Sequence, residues 1–181
     1  MSYSVAAYPV EQKLNRTSLA VVVTAGAFAT IGFDLFGQFI SPVLKSVASP
    51  YLGAKLAPVA LANQSLGVLT GLGSKFISSM GIGHAMHVLT GLFLYPFAYF
   101  FVARPLSNMV GRIPWWLTGA VYGIILFVFA LYIMAHLVAG NPPFLGWGGL
   151  TWAALWGHIL YALIVAGGVE LYHRSPAAAA D

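Results

Sequence analysis

The sequence predicts an all-α integral membrane protein, a four-helix bundle with an interfacial or re-entrant segment between its first two helices. Three observations carry this. Hydrophobic residues make up 60% of the 181 and charged residues only 7%, against roughly 25% charged in a soluble domain. So few charges cannot cover a water-facing surface. Four segments are also long and apolar enough for the about 20 residues that a bilayer crossing requires. Finally, glycine and proline cut the apolar stretches at lengths that suit single crossings.

The predicted spans run over about residues 18–44, 77–103, 114–139 and 149–172 of one transmembrane domain. Asp34 is the charge inside the first span, and its presence and the length of that run argue against a cleaved signal peptide. Arg104-Pro105 is expected to end the second helix and Pro114 to open the third. Pro96 should kink the second, where tertiary contacts can satisfy the freed carbonyl. Gly140-Asn141-Pro142-Pro143 separates the last two spans, because successive prolines cannot continue a helix, and the tight link makes them antiparallel neighbours. Between the first two spans, Val59 to Leu72 is apolar but too short to cross. It is expected to pack on the helix ends.

Basic residues set the expected orientation. Lys13, Arg16, Arg104, Arg112 and Arg174 fall on one side, Lys45, Lys55 and Lys75 on the other, which favours cytoplasmic termini. Trp115 and Trp116 mark one interface, Trp147 and Trp152 the other. The tail from Ala177 to Ala180 is expected to be disordered. The net charge of +4 comes from scattered residues, which gives no nucleic-acid footprint. The lipid bilayer is the expected surrounding. The chain has no cysteine, which excludes disulfides, thiolate metal sites and c-type haem attachment.

The polar chemistry gathers in one half of the predicted bilayer. Asp34, Gln38, His84, His87, His136 and His158 all fall there, whereas Glu170 and His173 lie near the opposite helix end. Gly26, Thr30, Asp34 and Gln38 recur every four residues and form one stripe. His84 and His87 share a face that Gly91 continues; Phe129 and Tyr132 align with His136; Tyr161 lies one turn from His158. Intramembrane ionisable groups are costly and usually functional. The competing reading is helix–helix hydrogen bonding, worth about 0.6 kcal/mol per contact.

Histidines on facing helices suit axial ligation of haem b or of a chlorophyll-type pigment, through His84, His87, His136 or His158. His84, His87 and His158 with Asp34 equally suit a non-haem metal ion, with Asp34 as ligand or orienter. Small-residue faces at Gly119/Gly123 and Ala153/Gly157 allow close helix approach. One of them serves the hairpin of the last two helices and the rest are expected to be free for other membrane subunits.

Gly83-His84 with His87 and Gly91, Gly119 to Gly123, and Gly157-His158 with Tyr161 also carry a resemblance. Over these elements the second half of the chain resembles a group of small bacterial four-helix inner-membrane proteins of uncharacterised function. The resemblance implies the fold and a bacterial inner membrane, and supplies no activity. From the residues, the leading expectation is a subunit of a larger respiratory or photosynthetic electron-transfer complex. A metal-dependent membrane enzyme built on the His/Asp cluster is the alternative. A small transporter or proton-conducting protein, with Asp34 and the histidines as relay, is the third.

Overall fold

The computed structural model describes residues 14–47, 53–111 and 113–175. Lys13, Arg112 and the Ala177–Ala180 tail, all used above, lie outside the described residues. Among the described residues the chain is helical throughout. Four helices are long and apolar enough to cross a membrane: α1 (Arg16–Leu44), α4 (Ile82–Gly111), α5 (Trp115–Val138) and α6 (Gly149–His173). Two shorter helices, α2 (Pro58–Thr70) and α3 (Ser74–Ser79), fill the connection after α1.

Helix α1 begins two residues before its predicted start because Asn15 caps it. The Asn15 side chain accepts from the Ser18 backbone N–H at 2.7 Å, and Ser18 Oγ accepts from the Asn15 N–H at 2.9 Å. The second span corrects the sequence reading at both ends. It starts at Ile82, not at residue 77, because Gly81 takes a left-handed φ of 69° and separates it from α3. It also runs through Arg104-Pro105 to Gly111.

The reason is a register change that recurs. Proline lacks the N–H for an i→i−4 bond, and its ring clashes with the carbonyl four residues back. In this chain Pro42, Pro96 and Pro105 each follow a π-helical segment, at Phe36–Ile40, Thr90–Leu94 and Tyr99–Ala103. The residue before each proline bonds five residues back: Ser41 to Phe36, Tyr95 to Thr90 and Arg104 to Tyr99. The wider turn lets the helix pass through a proline that would otherwise stop it. In α5 a longer π-helical stretch, Phe129–Val138, occurs without a proline.

Helix α6 is the centre of the bundle. Half of its most apolar window is buried, against 22% for α4, and it packs along both α5 and α1. Its core contacts include Ala162, Val165, Ala166 and Val169. Both predicted small-residue faces are used inside this bundle. A Cβ on Gly123 would stand 2.6 Å from Ile159 Cα, and one on Gly157 would stand 2.9 Å from the Phe33 ring. Neither face is left for a neighbour. The stripe on α1 faces α4: Gly26 lies against Pro96 and Gly91, and Thr30 against Gly91. The link before α6 turns through left-handed backbone at Phe144, Leu145 and Trp147, with φ of 50°, 53° and 56°.

Because the atoms facing Gly123 are backbone, they cannot swing aside. Gly123→Leu is expected to cost at least the about 1–3 kcal/mol typical of overpacking. Gly167→Ala, whose Cβ meets only Trp115 at 3.7 Å, should leave stability unchanged or slightly raised. Unfolding midpoints of the two variants in mild detergent check this pair.

Candidate functional site

The proline registers explain what builds the site. In the i→i−5 register the carbonyl that a proline leaves free is the one five residues before it. For Pro96 that is Gly91, and Tyr161 Oη donates to its oxygen at 2.6 Å. For Pro42 it is Gly37, and the Leu56 N–H donates to it at 3.1 Å. Gln38 Nε2 donates to the Leu56 carbonyl at 2.7 Å, which completes a polar tie between α1 and the segment leading to α2. Tyr122 Oη in turn donates to the Tyr95 carbonyl at 2.7 Å.

Helix α2 then lies across the gap between α4 and α5. Ser65 Oγ donates to the Met134 carbonyl at 3.2 Å. Asn141 Nδ2, in the link before α6, donates to Gln64 Oε1 at 3.0 Å. Under α2 is a cleft of about 440 Å³, within the 300–1,000 Å³ of ordinary small-molecule sites. Two of the π-helical stretches border it, through Thr90, Gly91 and Leu94 on one side and Phe129 to Leu131 with Met134 on the other. Most of the wall is aliphatic or aromatic. Its polar groups include His87, His158, Thr30, Tyr95 and Tyr161.

The predicted site residues divide. His87 Nε2 lies 3.0 and 3.2 Å from the two carboxylate oxygens of Asp34. An ionised carboxylate only accepts, so Nε2 carries the proton of that contact. His87 borders the cleft and Asp34 stands behind it, with 42% of the Asp34 side chain still exposed at the surface. His158 is buried, with Nδ1 2.7 Å from the Ala154 carbonyl one turn back. A carbonyl cannot donate, so Nδ1 holds the hydrogen and the neutral ring keeps its lone pair on Nε2. That nitrogen makes no hydrogen bond among the described residues. The Phe33 ring contacts both imidazoles, at centroid distances of 5.1 Å to His158 and 6.3 Å to His87.

His136 and His84 stand apart. His136 donates from Nδ1 to the Asn141 carbonyl at 2.7 Å, beside Tyr132, and supports the link before α6. His84 is exposed. Its neighbour Gly83 packs directly on Asn63 of α2, which turns His84 to the outer surface. Among the described residues no three His, Asp or Glu side chains form a group that could hold a metal ion. The structure therefore joins Asp34 to His87 and sets His158 across the Phe33 ring. It does not gather Asp34, His84, His87 and His158 into one ligand set.

Sequence reasoning missed Tyr95, Gln64 and Asn141. Tyr95 lies two turns beyond His87 and one beyond Gly91 on the same face of α4, a signal that could have found it. Gln64 and Asn141 meet only through the tertiary fold. At the opposite end of the bundle, Arg104 pairs with Glu170 at 3.0 Å and donates to the Ile113 carbonyl at 3.1 Å. Arg174 joins Glu170 at 3.1 Å. These are three charged groups in mutual contact, far along the helices from the cleft.

Comparisons with protein-family models, with curated proteins and with solved structures find no match to this chain.

Tyr161→Phe removes the donor to the Gly91 carbonyl and leaves a buried acceptor unpaired. The expected loss is about 1–3 kcal/mol. Tyr132→Phe, whose hydroxyl has no such role, should unfold as the parent does. Chemical unfolding in bicelles separates the two.

Proposed function

We propose that this protein is a bacterial inner-membrane subunit of a larger electron-transfer complex, of respiratory or photosynthetic type, and that its cleft holds a planar redox-active molecule against His158. One observation supports this above the others. His158 is held by its Nδ1–H while Nε2 stays uncommitted beside a largely apolar cleft. An imidazole fixed in that tautomer presents a lone pair in a set direction, as second-shell bonding does for metal-ligating histidines. That lone pair suits a metal centre in a macrocycle or the hydroxyl of an organic ligand. A non-haem metal enzyme has less support, because Asp34 and His87 supply only two neighbouring side chains. Proton conduction has the Asp34–His87 pair in its favour, but among the described residues no chain of hydrogen bonds runs from it to the Arg104–Glu170 end.

The assembly part rests on Asp34. An ionisable group 42% exposed on a helix that would cross the hydrocarbon is costly unless a polar partner covers it. A neighbouring subunit would therefore meet the bundle at the Asp34 edge, and not at Gly119/Gly123, which α6 already fills.

Gently purified protein is expected to carry a redox-active molecule close to 1:1, detected by absorption and by mass spectrometry of an organic extract. His158→Leu should lose it and His136→Leu should keep it. Protein that carries none, and takes none up from added haem or quinone, would overturn the proposal. Reporter fusions at the C-terminus test the orientation. Activity of a cytoplasmic reporter is expected, from the Lys/Arg distribution, and periplasmic activity would reverse the assignment.

A further inference from the structure

We infer that the molecule in the cleft is an uncharged, lipid-soluble quinol, a deeper claim that rests on the reading above. The wall decides against the other planar candidates. Among the described residues neither lysine nor arginine borders the cleft. Haem b carries propionate carboxylates, and charges buried without partners are strongly unfavourable. A quinol head carries no charge and asks only for acceptors of its O–H groups.

The cleft supplies those bonds at one place. His158 offers the Nε2 lone pair, which accepts from a quinol O–H. His87 is oriented through Nε2–H by Asp34, and its Nδ1 makes no hydrogen bond among the described residues. Both imidazoles touch the same phenyl ring, that of Phe33, so a single six-membered head group can reach the two. Tyr95 and Tyr161, whose rings lie 6.0 Å apart, border the same space and offer aromatic faces for stacking.

An aliphatic tail also has a way out. Met86 and Leu94 line the cleft yet are 38% and 57% exposed. The apolar wall thus continues from the histidines to the outer, lipid-facing side of α4. A molecule with a polar head and an isoprenoid tail matches this division, with the head at the imidazoles and the tail leaving beneath α2. The assignment concerns binding alone; electrons leaving a bound quinol would pass to a partner subunit.

The test uses the full chain in mild detergent with ubiquinol-2, kept reduced, and, separately, haemin as probes, binding being followed by equilibrium dialysis and absorption. Saturable binding of ubiquinol-2 near 1:1 is expected. His158→Leu should weaken it about tenfold, the worth of one hydrogen bond of roughly 1.4 kcal/mol. Ala130→Trp, which fills the cleft from the α5 side, should abolish it, and His84→Ala should leave it unchanged. Unfolding midpoints identify any variant that has lost its fold, and the other variant then carries the test. Haemin binding with a His158-dependent Soret band, and no quinol binding, would overturn this inference and leave the proposed function standing. Failure of both probes would overturn both. Quinol binding that survives His158→Leu and Ala130→Trp would place the molecule elsewhere and overturn the inference.

Discussion

Every carbonyl that a proline releases inside an apolar bundle must find another donor, and that constraint shapes this molecule. Unsatisfied backbone groups cost several kcal/mol in hydrocarbon. Pro42 and Pro96 shift their helices into the i→i−5 register and free the carbonyls of Gly37 and Gly91. Leu56 takes the first through its backbone N–H, and Tyr161 takes the second through its hydroxyl. The first bond fixes the chain leading into α2. The second locks α6 against α4 at a set depth. The position of α2 over the cleft and the placement of His158, one turn before Tyr161, both follow from these two bonds.

The two ends of the bundle are built differently. At one end, Arg104 reaches Glu170 on α6 and the Ile113 carbonyl before α5, and ties three long helices together. Charge-assisted bonds of this kind are roughly twice as strong as neutral ones. At the other end, α2 bridges α4 and α5, which also meet through the edge-to-face rings of Tyr95 and Phe129. The hydrogen bonds there are neutral, one from Ser65 to Met134 and a reciprocal pair between Asn141 and Gln64. The link before α6 adds left-handed backbone at Phe144, Leu145 and Trp147, which aromatic packing of Phe144 on Phe127 and Tyr132 holds in place. A tight end and a loosely bridged end together leave the cleft where helices widen.

The four spans were legible because composition and apolar run length report directly on burial in lipid. Their ends were less so. Gly81 breaks the helix by a backbone conformation, and hydropathy does not register it. Pro105 reads as a stop in any local rule, and only the π-helical turn before it lets α4 continue. The Asp34–His87 contact was half visible: both were placed at similar depth on polar stripes, but depth cannot say which of two histidines three residues apart turns inward. Gly83 decides that, by packing on Asn63, a residue distant in sequence. The small-residue faces were recognised, and their partners were not. Spacing shows that a helix can approach closely, without showing which helix does.

The difference between His136 and His158 shows how function can depend on placement more than on residue type. Both donate from Nδ1 to a backbone carbonyl at 2.7 Å, so both hold the same tautomer and keep Nε2 as the acceptor. His136 spends its bond on the link before α6, outside the wall of the cleft. His158 spends its bond on its own helix, four residues back, which costs the tertiary structure nothing and leaves the ring free to point at the cleft. His87 makes the opposite choice, committing Nε2 to Asp34. The cleft therefore holds two imidazoles of unequal character beside one phenyl ring. One is fixed through Nε2 by a carboxylate on α1 and the other through Nδ1 by a carbonyl of its own helix, so the two rings commit opposite nitrogens.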